Sequence, residues 1–151
     1  MVRHKKQEEH KIIFFFITLF VLFYPMLISI YVFLPLCIGV MSYLLIEGLQ
    51  REKFGYIFLS VLYLINLEVN LSLPLFLTII SALLFYVTLY NSLRYFRRCS
   101  FCKALFSVFS LDLFYLFALF SFDFIFQTHS IALDMILLYS LIIDILLVVL
   151  L

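Results

Sequence analysis

The sequence predicts an all-α, polytopic integral membrane protein, with about six transmembrane helices arranged as three hairpins. Composition is the first reason: 67% of the residues are apolar, 13% are charged and the mean hydropathy is +1.24. Globular domains carry about 25% charged residues. The second reason is where the cations stand. All ten Lys and Arg fall in three clusters, Arg3/Lys5/Lys6/Lys11, Arg51/Lys53 and Arg94/Arg97/Arg98/Lys103. The cation-free stretches 12–46, 54–93 and 104–151 hold 35, 40 and 48 residues. A hydrocarbon core of about 30 Å takes about 20 helical residues per crossing, so each stretch accommodates a pair of helices. Three hairpins put every cation on one side, and positive charge flanking a span is retained in the cytoplasm. Both termini are therefore expected inside.

A single transmembrane domain is expected over residues 1–151, with a cytoplasmic N-terminal tail at 1–11 and crossings near 12–27, 31–46, 54–70, 75–93, 104–124 and 131–151. The basic start followed by an apolar run resembles a secretory signal. That run continues without a small-residue cleavage site, too long for a cleaved signal core. In the first hairpin, Pro25 and Pro35 flank the expected turn at 27–31, and Tyr24 and Tyr31 sit where an interfacial aromatic belt belongs. The polar run 47–53 closes that hairpin on the cytoplasmic side. In the second, 70–74 turns and Pro74 suits the first turn of the returning helix, where a missing N–H goes unused. Before it, Asn66, Glu68, Asn70 and Ser72 alternate with apolar residues. An isolated strand cannot satisfy its backbone in lipid, so this segment reads either as a frayed helix end or as an extended corner presenting Glu68 to a cavity or partner.

The third hairpin turns around 127–130 and carries Asp112, Asp123, Asp134 and Asp144 with no Lys or Arg beyond Lys103. Asp112 and Asp144 fall at similar depth on antiparallel neighbours, on the order of 10–12 Å in at 1.5 Å per residue. Asp at the centre of a spanning helix costs about 2.5–3.5 kcal/mol. Such residues face a bundle interior, a wet cavity or another subunit. Three roles fit them: hydrogen bonding that fixes helix packing, an interface with a partner's helix, or a proton or cation pathway. Asp123 and Asp134 lie nearer the outer surface and suit an interfacial role.

The remaining residues exclude more than they suggest. Cys37, Cys99 and Cys102 make no disulfide framework, and a single C-x-x-C supplies two of the four ligands of a tetrahedral zinc site. The basic residues form no long stripe, so no nucleic-acid partner is expected. There is no H-E-x-x-H, no G-x-S-x-G and no glycine-rich phosphate loop, with only three Gly in the chain. Neither enzymatic activity nor a cofactor nor a bound metal is expected.

The short first hairpin, the charged inner turn and a third span ending in an acid followed by a proline resemble the MreD family of bacterial rod-shape-determining membrane proteins. The residues that carry the resemblance are Glu68 and Pro74 in LEVNLSLPLF, similar to the family's D-x-x-S/T-x-x-P-L-G segment, with Glu for the usual Asp and without its glycines. The resemblance implies a non-enzymatic scaffold of the cell-elongation machinery in the bacterial inner membrane. Its implied partners are the lipid bilayer, an MreC-like protein and a RodA/transpeptidase-like pair building peptidoglycan. Arg94, Arg97 and Arg98, in the largest inner loop, are candidates for a docking surface. The MreD family is similar in helix order to the substrate-binding subunits of vitamin transporters, so a small-molecule transporter subunit is the alternative. Those subunits engage their partner through small residues in the first helix, whereas residues 12–28 here contain no Ala or Gly. An ion-coupled carrier using Asp112 and Asp144 is a further alternative.

Overall fold

The computed structural model describes the backbone of residues 2–31, 33–90, 92, 100–127 and 131–150, with side chains placed for 12, 14–31, 33–90, 92, 101–127 and 135–150. Among these residues the chain is all-helical, with α1 Val2–Ile30, α2 Ile38–Gln50, α3 Phe54–Asn70, α4 Leu77–Thr88, α5 Ser100–Phe126 and α6 Ile131–Leu150, and no strand. Helix α2 is the hub, packing against α3, α4, α5 and α6, while α1 lies against α3. Among the described residues one helix, over Phe101–Phe126, is long and apolar enough to cross a membrane; the apolar stretches of the other helices, such as Phe14–Ile30, are shorter.

The helix boundaries differ from the sequence reading in an informative way. The turn expected at 27–31 is absent: α1 runs straight through Pro25 to Ile30, and already begins at Val2, so the segment read as a tail is helical. Proline inside a helix removes its own amide and pushes away the carbonyl four residues back, leaving acceptors in the preceding turn exposed. Here the Asn66 side chain of α3 donates to the Leu22 carbonyl at 2.9 Å, next to the Val21 carbonyl that Pro25 cannot serve. Helix α1 ends at Ile30, and α2 starts at Ile38 rather than near 31. Helix α3 occupies 54–70 and stays helical through Asn66, Glu68 and Asn70 of the alternating polar segment, with Ser72 beyond its end. Helix α4 covers 77–88 of the expected 75–93. Helix α5 begins at Ser100, four residues before the expected start, which puts Asp112 on the order of 18 Å along it, near the middle.

With only three glycines, the chain uses other residues wherever it needs left-handed backbone. Cys37, Glu52, Ser72, Phe76 and Gln127 all have φ between 51° and 66°. Glu52 and Ser72 close helix ends. Lys53 N–H donates to the Gly48 carbonyl at 3.0 Å, and Leu73 N–H to the Glu68 carbonyl at 2.9 Å, the six-to-one bond of a Schellman ending.

Apolar side chains cover the outside. Phe15, Phe16, Phe20 and Phe23 of α1, Phe58 of α3 and Phe117 and Phe124 of α5 are exposed, Phe124 to 88%. The inside is not purely apolar. Beside Tyr63, Leu64, Leu67, Phe85 and Leu119 it buries Ser42, Ser60, Thr78, Ser107, Ser140, Glu68, Asp112 and Asp144.

One end of the bundle gathers the described cations. The Tyr90 hydroxyl donates to Gln50 Oε1 at 2.6 Å, and Lys103 Nζ lies 4.7 Å from the centre of the same ring. That ties the end of α2 to the start of α5, so Lys103 shares an end with Arg51 and Lys53. Arg51 pairs with Glu47 across one helical turn at 2.7 Å, a solvent-facing pair worth about 0.3–0.5 kcal/mol.

Candidate functional site

Two helices, α2 and α4, begin inside the bundle, each directly after a left-handed residue: Cys37 (φ 51°) before α2 and Phe76 (φ 66°) before α4. A helix start leaves its first amides without intrahelical acceptors and carries about half a positive charge. Neither Cys37 nor Phe76 caps with its side chain. In both cases an acid on a neighbouring helix supplies the acceptor.

At α4 the acid is Glu68, fully buried one turn from the end of α3. Its Oε2 accepts the Phe76 N–H at 2.7 Å and its Oε1 accepts the Thr78 N–H at 2.8 Å, with the Thr78 hydroxyl donating to Oε1 as well. Both oxygens are engaged. Pro74 lies in the same turn, where its carbonyl accepts the Leu77 N–H at 3.4 Å. Of the two possibilities the sequence left for Glu68, neither is realised. The segment is not frayed, and the carboxylate faces no opening but holds the start of the next helix.

At α2 the acid is Asp144 of α6, also fully buried, whose Oδ2 accepts the Gly39 N–H at 2.9 Å. The break before α2 is held on every side. Tyr24 of α1 donates to the Pro35 carbonyl at 3.0 Å, Tyr63 of α3 donates to the Leu36 carbonyl at 2.8 Å, and the Leu36 N–H donates to Ser140 Oγ of α6 at 3.1 Å. Three helices thus satisfy a backbone that cannot satisfy itself. The Cys37 thiol, which is free, lies beside Asp144 and Tyr24.

Asp112 of α5 meets the same point. A Cβ built on Gly39 would stand 2.6 Å from both Asp112 carboxylate oxygens, so only glycine lets this carboxyl lie against the start of α2. The two aspartates singled out from the sequence therefore converge on one residue, Gly39. Their demand exceeds the supply of donors. Asp112 Oδ2 and Asp144 Oδ1 are buried without a hydrogen-bond partner, and the described cations are at the end of the bundle.

The other candidates are not part of this cluster. Arg94, Arg97 and Arg98 lie outside the described residues, as does the side chain of Asp134. Asp123 is half-buried toward the end of α5. Cys102, in the first turn of α5, is disulfide-bonded. No group of three or more His, Cys, Asp or Glu able to hold a metal ion occurs among the described residues. An apolar groove of about 410 Å³ runs between α1, α2 and α3, lined by Phe14, Val21, Met41 and Leu59 with Lys53 at its edge.

Sequence reasoning missed Gly39, Ser140 and Tyr63. A signal existed for the first: in a chain with three glycines, one placed just after Pro35 and Cys37 marks a close backbone approach. Nothing in the sequence marks Ser140 or Tyr63 among many similar residues. Comparison with protein-family models, with curated proteins and with solved structures gives no match to this chain.

Proposed function

We propose that this chain is a multi-pass protein of the bacterial inner membrane, with its described cations on the cytoplasmic side, acting as a non-enzymatic scaffold of the cell-elongation machinery. The observation that carries the membrane reading is the inverted distribution of side chains. Phenylalanines face outward along α1, α3 and α5 while three carboxyls and several hydroxyls are buried. Soluble monomers seldom expose continuous apolar surface beyond a few hundred Å², whereas in lipid the outer face is apolar and polar groups turn inward.

The scaffold reading rests on the segment that resembles the MreD family and on how the acids are used. Glu68 and Asp144 both bind backbone amides, a use that fixes a rigid helical shape rather than one that processes a substrate. On this reading the chain presents fixed apolar helix faces to an MreC-like partner and, with it, to the peptidoglycan-building enzymes.

Two pairs of measurements test the proposal, the first its membrane placement and the second its scaffold role. Carbonate-washed membranes should retain the protein, and cysteines introduced beside Arg51 and Lys103 should react with impermeant reagents only from the cytoplasmic side. Loss of the gene in its rod-shaped host should round the cells, and the tagged protein should co-purify an MreC-like protein. Unchanged rods together with absence of such a partner would remove the scaffold role while leaving the membrane assignment to stand on the first pair.

A further inference from the structure

We propose that Asp112 and Asp144 form a binding site for a single monovalent cation, a proton or Na⁺, held between two carboxyl groups at the start of α2. The site does not depend on the partners named above. Two independent observations lead to it.

The first is convergence: α5 and α6 each bring a carboxyl to the Gly39 backbone, where a side chain would collide with Asp112. The second is incomplete satisfaction. Asp112 is 9% exposed and Asp144 fully buried, yet Oδ2 of the one and Oδ1 of the other have no hydrogen-bond partner. A buried, unpartnered carboxylate oxygen is too costly to leave empty. The helix start offsets about half a charge, and two carboxylates bring two. One added positive charge brings the site close to neutrality. The groups facing the pair are Tyr24 of α1, Cys37 of the break, Tyr63 of α3 and Ser140 of α6. Hydroxyls and thiols are never cationic, so none supplies that charge.

Glu68 provides the internal contrast. It is as deeply buried, but amides and a hydroxyl engage both of its oxygens, so it needs no cation.

Dicyclohexylcarbodiimide, which partitions into apolar surroundings, tests this on the purified full-length protein. The acid's proton passes to a carbodiimide nitrogen and the carboxyl oxygen adds to the central carbon. Acyl transfer to nitrogen then leaves a stable N-acylurea that contains the whole reagent. Mass spectrometry should find one reagent per chain, on Asp112 or Asp144, and none on Glu68. A decrease only as the pH rises identifies the proton as occupant; protection by Na⁺ at fixed pH, but not by choline, identifies the metal ion. The variant carrying both Asp112→Asn and Asp144→Asn, which keeps an acceptor oxygen at each position, should stay helical by circular dichroism and lose the label. Labelling of Glu68 to the same extent, absence of label from both aspartates, or label insensitive to both pH and Na⁺ would each overturn the proposal.

Discussion

The two buried helix starts solve one problem with opposite degrees of completeness. At α4, Glu68 comes from the preceding helix, 8 and 10 residues away in sequence, and both its oxygens are engaged. At α2, Asp144 comes from 105 residues away. One of its oxygens stays unpartnered, and a second acid crowds the same glycine. A cap closed within one hairpin can form as soon as that hairpin does. A cap that waits for the last helix completes the fold, and its surplus acid sets it apart from a purely structural device.

The strongest way to break the comparison is to remove the complete cap. Glu68→Ala strands the buried amide and hydroxyl of Thr78 and the partly buried amide of Phe76, each buried group costing about 1–3 kcal/mol unsatisfied, so the variant should lose about 3–5 kcal/mol or fail to accumulate. Thermal unfolding in detergent micelles reads this out. Next is Gly39→Val, which forces a branched side chain into the space of the Asp112 carboxyl; overpacking of this kind costs about 1–3 kcal/mol. An unchanged midpoint would mean that α2 and α5 are not as close as described.

The sharpest test sets two near-isosteric changes side by side. Glu68→Gln turns one acceptor into a donor facing an amide or hydroxyl donor, and should cost about 1–3 kcal/mol. Asp144→Asn can keep its oxygen on Gly39 and turn its amide toward the unpartnered side, so it should cost under about 0.5 kcal/mol or even stabilise. Equal losses would erase the distinction. Between those two falls Tyr63→Phe, which removes the donor to the Leu36 carbonyl and should cost about 1 kcal/mol.

What could be read from the chain follows from what each signal reports. Cation spacing and apolar run length locate helices, and they placed α3 over the same residues, 54–70, that it occupies. They did not locate the break before α2, because proline was taken as a terminator. Pro25 instead lies inside a helix, with Asn66, 44 residues away in sequence, donating to the Leu22 carbonyl in the preceding turn. Asp112 and Asp144 stood out as cation-free acids on neighbouring helices, and the structure brings both to one point. The residue they meet, Gly39, depends on how α2, α5 and α6 pack together, and no local pattern encodes that. Glu68 stood out too, but its purpose depends on a turn whose left-handed residues are Ser72 and Phe76 rather than glycine, so the usual turn signal was missing.

The brevity of α2 and α4 has a consequence for the surroundings. Thirteen and twelve residues give about 20 Å and 18 Å of helix, against a hydrocarbon thickness of about 30 Å. The non-helical segments before them must supply the missing length, which they can do only while wrapped in protein. On the side where these short helices meet lipid, the proposed placement makes the bilayer pinch inward. Hydrophobic mismatch of this kind favours thin membranes and neighbours that share the dimple, so reconstitution into lipids of increasing chain length should progressively cluster the protein.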